Sequence, residues 1–365
     1  MMIKSKNKLA FLLLATFLLA AAAPGQAAVL PPPQPKQGPG GADYGYGRVI
    51  KTAHGQGEQA YYIFEPDEPK PQSAPLIVFL HGWGGTNPDY YSSWIEHLVK
   101  KGKIVIFPVY QSWGGLLSSS KYTLNCLQAI RAAIELLQSS KEHVKPNLEQ
   151  LAIVGHSVGG ILALNISAKA QTLGLPVPKA IMSVQPKRAL MLPVEDLSTI
   201  PTSTLLLVVA GDQDSLSADE SVSIFQRLSH IPAENKDFVT LVSDDYGAPP
   251  LIADHFAPTG NPSGSRLMLG LSRARTDALD YYGIWKLFDA LTDAAFWGQN
   301  RNWALGNTAL QRYMGKWSNG RPVKELLITD HPRPRSRSRN GLLRFIPRLG
   351  SRERQSAGSE SQDGS

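Results

Sequence analysis

Near the middle of the chain, the run LAIVGHSVGGILALNIS contains Gly155-His156-Ser157-Val158-Gly159, a G-x-S-x-G pattern that closes an apolar stretch and opens a helix-period one. In that setting the serine sits on a tight strand-to-helix turn, which lifts its hydroxyl to the end of a sheet. Gly155 and Gly159 leave space where a Cβ would obstruct the approach of strand and helix. A serine hydroxyl is a weak nucleophile at neutral pH, so the chemistry requires a general base and a group to orient it.

In folds built around this turn, the acid and then the base follow the nucleophile along the chain. His54, His81, His97 and His143 precede Ser157, and His156 adjoins it inside the tight turn. His230 ends the helical segment SIFQRLSH, whereas His255 lies in the loop ADHFAPTG beyond the last apolar strand. His255 is therefore the candidate base. Asp212 and Asp214 stand in the turn leaving LLLVVAGD. Asp214, deeper in that turn, is the candidate that accepts the Nδ1 proton of the imidazole. Asp212, directly after Gly211, is expected to bond the local backbone, and Asp254, beside the histidine, ranks third.

Attack on a carbonyl also creates a negative oxygen that needs two backbone N–H donors. Val158, after the nucleophile, supplies one, and Trp83 in His81-Gly82-Trp83-Gly84-Gly85 supplies the other, because that loop follows the apolar run LIVFL. His81 reads as a scaffold for the loop. Cys126, the one cysteine, borders the apolar face of TLNCLQAIRAAIELLQS and reads as a core residue, since nothing adjacent would stabilise a thiolate. No H-E-x-x-H and no Cys/His cluster is present, and the HGWGG glycines do not fit a phosphate-binding signature, so neither a metal nor a cofactor is expected.

The elements that must hold these groups are legible in the hydrophobic pattern. Seven strand candidates run in order: AYYIFEP, LIVFLHG (76–82), KIVIFPVY (103–110), LAIVGHS (151–157), AIMSVQP (180–186), LLLVVAGD (205–212) and FVTLVSDD (238–245). Several are apolar at consecutive positions, as strands covered on both faces by helices must be. Between them, Leu127, Ile130, Ile134 and Leu137 share one helix face. In TDALDYYGIWKLFDALTDAAFW the residues Ile284, Leu287, Phe288, Leu291 and Ala295 share another. The expected fold is a doubly wound α/β domain with a mostly parallel sheet, spanning 44–330 without a large cap.

Residues 1–28 read as a signal peptide: three lysines, then the apolar stretch Leu9 to Ala23, then small residues around Ala27 and Ala28. Export to the periplasm or the exterior follows, with an uncleaved anchor as the alternative. Residues 29–43 are rich in Pro and Gly and are expected to form an extended spacer that does not pack. Residues 331–365 alternate Arg with Ser and Pro and read as a solvated, disordered tail, the alternative being weak contact with anionic surfaces. With both ends set aside, the body carries a formal net charge of −1, which argues against a specific nucleic-acid partner.

HGWGG, GHSVGG, GDQD and a late histidine, in that order, resemble the α/β-hydrolase superfamily from about residue 44 to 300. Within it they are similar to the lid-poor serine esterases around dienelactone hydrolase, cutinase-like polyester hydrolases and chlorophyllase. The resemblance implies a carboxylic ester hydrolase with Ser157, Asp214 and His255 as triad and Trp83 and Val158 as oxyanion donors. In two respects the sequence departs from those groups: a single cysteine rules out an internal disulfide, and Cys126 does not stand at the nucleophile position that dienelactone hydrolases fill with cysteine.

Only KRALMLPVEDLSTIP and a few flanking residues separate the fifth and sixth strand candidates, too little for a helical cap, so an open site is expected. Trp83, Trp113 and Tyr110 fall at one edge of the sheet, where they can line an apolar cleft for small or polymeric esters. Two other readings stay open: a serine peptidase or acyltransferase on the same triad, and a non-catalytic binding protein at an envelope surface.

Overall fold

The computed structural model describes residues 28–112, 116–260 and 275–334. The proposed signal peptide, apart from Ala28, and the basic tail beyond residue 334 lie outside the described residues. Among those described are nine strands: β1 (Arg48–His54), β2 (Tyr61–Asp67), β3 (Ser73–Leu80), β4 (Ile104–Pro108), β5 (Lys145–His156), β6 (Ala180–Val184), β7 (Leu205–Gly211), β8 (Lys236–Leu241) and β9 (Leu327–Thr329). They form one sheet in the order β1-β2-β4-β3-β5-β6-β7-β8-β9. Every pair from β4 through β8 is parallel, and only the flanking β1, β2 and β9 run antiparallel. The mostly parallel α/β sheet expected from the sequence is thus present.

Successive side chains of a strand point to opposite faces, and here both faces are covered. Leu76, Val78 and Leu80 of β3 pack on one side with Ile153, Leu206 and Val208, beneath α2 (Tyr122–Ser139), α3 (Val158–Ala170) and α4 (Ala218–Arg227). Ile77 and Phe79 pack on the other with Val154, Met182 and Val209, beneath α1 (Ser92–Lys100) and α5 (Lys286–Trp297). Cys126 lies wholly inside the first layer, and burial pushes its thiol well above the ordinary range. Among the described residues no helix is long and apolar enough to cross a membrane.

Three features differ from the sequence reading. β1 and β9 went unforeseen because one is half exposed along its length and the other has three residues. A π-helical segment, Leu279–Trp285, precedes α5, so the long helical pattern is not one regular helix. The Pro/Gly-rich stretch 29–43 is not a free spacer but packs on the domain. The Ala248 N–H donates to the Val29 carbonyl at 2.8 Å, Leu30 N–H to Ser318 Oγ at 2.9 Å, and Gly40 N–H to Asp289 Oδ2 at 2.9 Å. Its composition forbids a core of its own, yet its backbone donors and acceptors find fixed partners on the body.

Candidate active site

Strand β5 delivers Ser157, and α3 begins immediately after it. The turn forces Ser157 to φ 55°, in the left-handed region where L residues are strained. Space around it is minimal. A Cβ on Gly155 would stand 2.0 Å from the Gly159 carbonyl oxygen, and one on Gly159 would stand 2.1 Å from the Leu80 oxygen. Both contacts are with backbone, so they cannot be relieved by a rotamer change. Gly155→Ala and Gly159→Ala should each cost about 3 kcal/mol or more by overpacking, read from urea unfolding midpoints. A midpoint like wild type would mean that strand and helix do not approach so closely.

His255 approaches from the loop after β8. That loop is pinned by a bridge between Asp244 and Leu251, by the Gln213 N–H on the Ala253 carbonyl at 3.2 Å, and by Gln185 Nε2 on the Asp254 carbonyl at 2.7 Å. The His255 Nε2 lies 2.9 Å from Ser157 Oγ, and its Nδ1 lies 2.9 Å from Asp214 Oδ2. A carboxylate can only accept, so Nδ1 carries the proton and Nε2 accepts from the serine hydroxyl in the neutral imidazole.

Asp214 is buried in the turn after β7. Its Oδ1 accepts from the Leu216 N–H at 2.8 Å and the Ser217 N–H at 3.1 Å, and its Oδ2 also accepts from the Ser217 hydroxyl. Burial pushes this carboxyl up, but the hydrogen bond and charge of His255, with Ser217 and Leu216, bring it down to about 2. Asp212 accepts from the Ser243 N–H and hydroxyl at 3.0 and 2.5 Å, which ties the turn after β7 to the end of β8. The Asp254 carboxylate accepts from the Phe256 N–H at 2.9 Å and so caps its own turn. His230 bonds the Ile200 carbonyl.

The loop after β3 arches over the serine. Its Gly82 N–H donates to Tyr91 Oη at 2.9 Å, and Gly85 N–H closes a turn onto the Gly82 carbonyl at 2.9 Å. Val158 is the first residue of α3, where backbone N–H groups have no partner within the helix. Trp83, Ser157, Val158 and His255 line one cavity of about 490 Å³, with Leu190, Leu216 and Phe256 giving it apolar walls. Lys187 and Arg188 also reach it, and both side chains sit near Glu220, at 3.9 and 3.7 Å. The segment between β6 and β7, which supplies Leu190, contains one short 3-10 turn, Leu197–Thr199, and no helical cap.

Tyr110 does not line this cavity. Its ring is fully buried, stacked on His81 with ring centroids 4.1 Å apart, and its hydroxyl donates to the His81 carbonyl. A strand-end aromatic can turn inward as readily as outward, and here it props the loop from below. His81 is itself fully buried, and burial pushes its imidazole down to about 4. Trp113 lies outside the described residues. Reasoning from the sequence missed three buried residues: Tyr91 and His156, which bond each other at 2.8 Å, and Gln185, which holds the Asp254 carbonyl of the base loop. His156 alone left a signal, its place in the G-x-S-x-G pattern.

A family model described as Chlorophyllase matches residues 50–194, a span that contains the loop after β3 and the nucleophile turn but ends before Asp214 and His255. No curated protein matches the chain.

Proposed function

We propose that this α/β-hydrolase, of the esterase type that its likeness to the chlorophyllase family suggests, cleaves carboxylic esters through an acyl-enzyme on Ser157. The observation that carries the reading is the pair of 2.9 Å contacts joining Ser157, His255 and Asp214 at the floor of an apolar cavity. His255 Nε2 takes the hydroxyl proton as Ser157 Oγ bonds to the ester carbon. Trp83 and Val158 N–H groups hold the resulting oxyanion. The tetrahedral intermediate collapses, the alcohol leaves with the proton from His255, and water repeats the sequence to release the acid.

Leu190, Leu216 and Phe256 favour an apolar group on the ester, which gains by leaving water for the cavity. Residues 1–28 would carry the enzyme out of the cytoplasm. A fluorophosphonate, which phosphonylates an activated serine, should label the full chain, while Ser157→Ala should take no label. Folded wild type that resists the probe and hydrolyses none of a panel of nitrophenyl esters would overturn the reading.

A further inference from the structure

A line of buried polar groups with no part in the proposed mechanism runs from the loop over the site to the loop carrying the base. Gly82 N–H lies 2.9 Å from Tyr91 Oη, Tyr91 Oη lies 2.8 Å from His156 Nδ1, and His156 Nε2 lies 2.8 Å from the carbonyl oxygen of His255. Tyr91 is 2% exposed and His156 is 3% exposed, so the line is almost wholly buried, although Gly82, Tyr91 and His156 each border the cavity that holds Ser157.

Its polarity is fixed at both ends. A backbone N–H can only donate and a backbone carbonyl can only accept. Gly82 must therefore donate to Tyr91, whose hydroxyl is left to donate to Nδ1, and Nε2–H must donate to His255. Every proton in the line has one place. His156 can play this part only while neutral, since a second ring proton on Nδ1 would make Tyr91 Oη its acceptor and leave the hydroxyl proton without an acceptor in the line. Burial holds it there, pushing the imidazole down to about 3, with the neighbouring His255 acting in the same direction.

The two ends of the line are the parts of the site that must move together. Gly82 directly precedes Trp83, the proposed oxyanion donor, and the His255 carbonyl belongs to the base itself. Neither Tyr91 nor His156 makes a hydrogen bond to Ser157 Oγ, which has His255 as its partner. We propose that Tyr91 and His156 are positioning residues that lock the oxyanion loop and the base loop into one register across the nucleophile. This rests on the ester-hydrolase reading above. Shifting a reacting group by about 1 Å can cost about 100-fold in rate, so a shared tie between the two loops should be felt in kcat.

The test is a double-mutant cycle on the purified full chain with a soluble nitrophenyl ester. Tyr91→Phe and His156→Phe should each lower kcat by about 10- to 100-fold with KM within about threefold of wild type, because the apolar walls at Leu190, Leu216 and Phe256 that would hold the ester are left in place. The double variant should be no slower than the slower single one, since either break opens the same line. His156→Gln, whose amide can still donate toward the His255 carbonyl, should recover about tenfold over His156→Phe. If His156→Phe does not fold, His156→Leu, which also lacks a donor, takes its place in the cycle. Losses that multiply in the double variant, or single variants within twofold of wild type, overturn the proposal. Fluorophosphonate labelling separates the two levels: wild type that neither labels nor turns over sinks the hydrolase reading and the proposal with it. Labelled, active wild type with multiplying losses sinks the proposal alone.

Discussion

Ser157→Ala and His255→Ala are each expected to lower kcat for ester cleavage by about six orders of magnitude, and the double variant by no more than either alone. In the proposed mechanism the serine oxygen becomes bonded to the acyl group. His255 Nε2, 2.9 Å away, is the acceptor that would make this oxygen nucleophilic. Removing either leaves the same defect, a site that binds the ester and can polarise its carbonyl but cannot form the acyl-enzyme. Residual turnover comes from the oxyanion donors and from binding, which neither substitution touches. Measured kcat for the three variants on one activated ester decides the matter. A loss below tenfold in either single variant, or losses that multiply, would mean that the two residues do not act as a unit.

Much of this site was legible in the sequence because its parts obey local rules. The G-x-S-x-G pattern announces close approaches: a Cβ on Gly155 would stand 2.0 Å from the Gly159 oxygen within the strand-turn-helix unit, and one on Gly159 would stand 2.1 Å from the Leu80 oxygen of the adjacent β3. The central strands declared themselves by apolar residues at consecutive positions, because both of their faces are covered. His255 and Asp214 were reached by order along the chain, and the structure sets His255 against Ser157 and Asp214 against the far side of His255 although they come from separate loops.

What escaped was decided by tertiary context. Tyr110 ends a strand at the correct edge, but whether its ring turns toward the cavity or under the loop depends on His81, which it stacks against. Tyr91 lies in an unremarkable stretch, PDYYSSW, and gains a role only because Gly82 and His156 converge on its hydroxyl. His156 was set aside as too close to the nucleophile to serve as its base. That exclusion agrees with its contacts, yet its ring spans two loops. The Pro/Gly-rich segment 29–43 was misjudged because composition reports whether a segment can build a core, not whether a finished surface offers it partners.

Asp214→Asn should lower kcat/KM by about four orders of magnitude, while Asp212→Asn should lower it less than about tenfold. Two backbone N–H groups, from Leu216 and Ser217, fix Oδ1 of Asp214 as an acceptor. An asparagine amide would keep its oxygen there and turn its NH2 toward His255. Nδ1 would then have to accept, the ring proton would move to Nε2, and the face toward Ser157 could no longer take a proton. Asp212 holds Ser243 instead, so its amide should cost stability rather than turnover. Because the Asp214 carboxyl is held down at about 2 against an ordinary 3.8, the stability it contributes is complete above about pH 4 and is lost as pH falls through about 2. Loss of activity at mildly acidic pH is therefore expected to come from a group other than this carboxylate. The kinetic comparison of the two asparagine variants, with unfolding midpoints alongside, assigns the orienting role, and the opposite ordering would transfer it to Asp212.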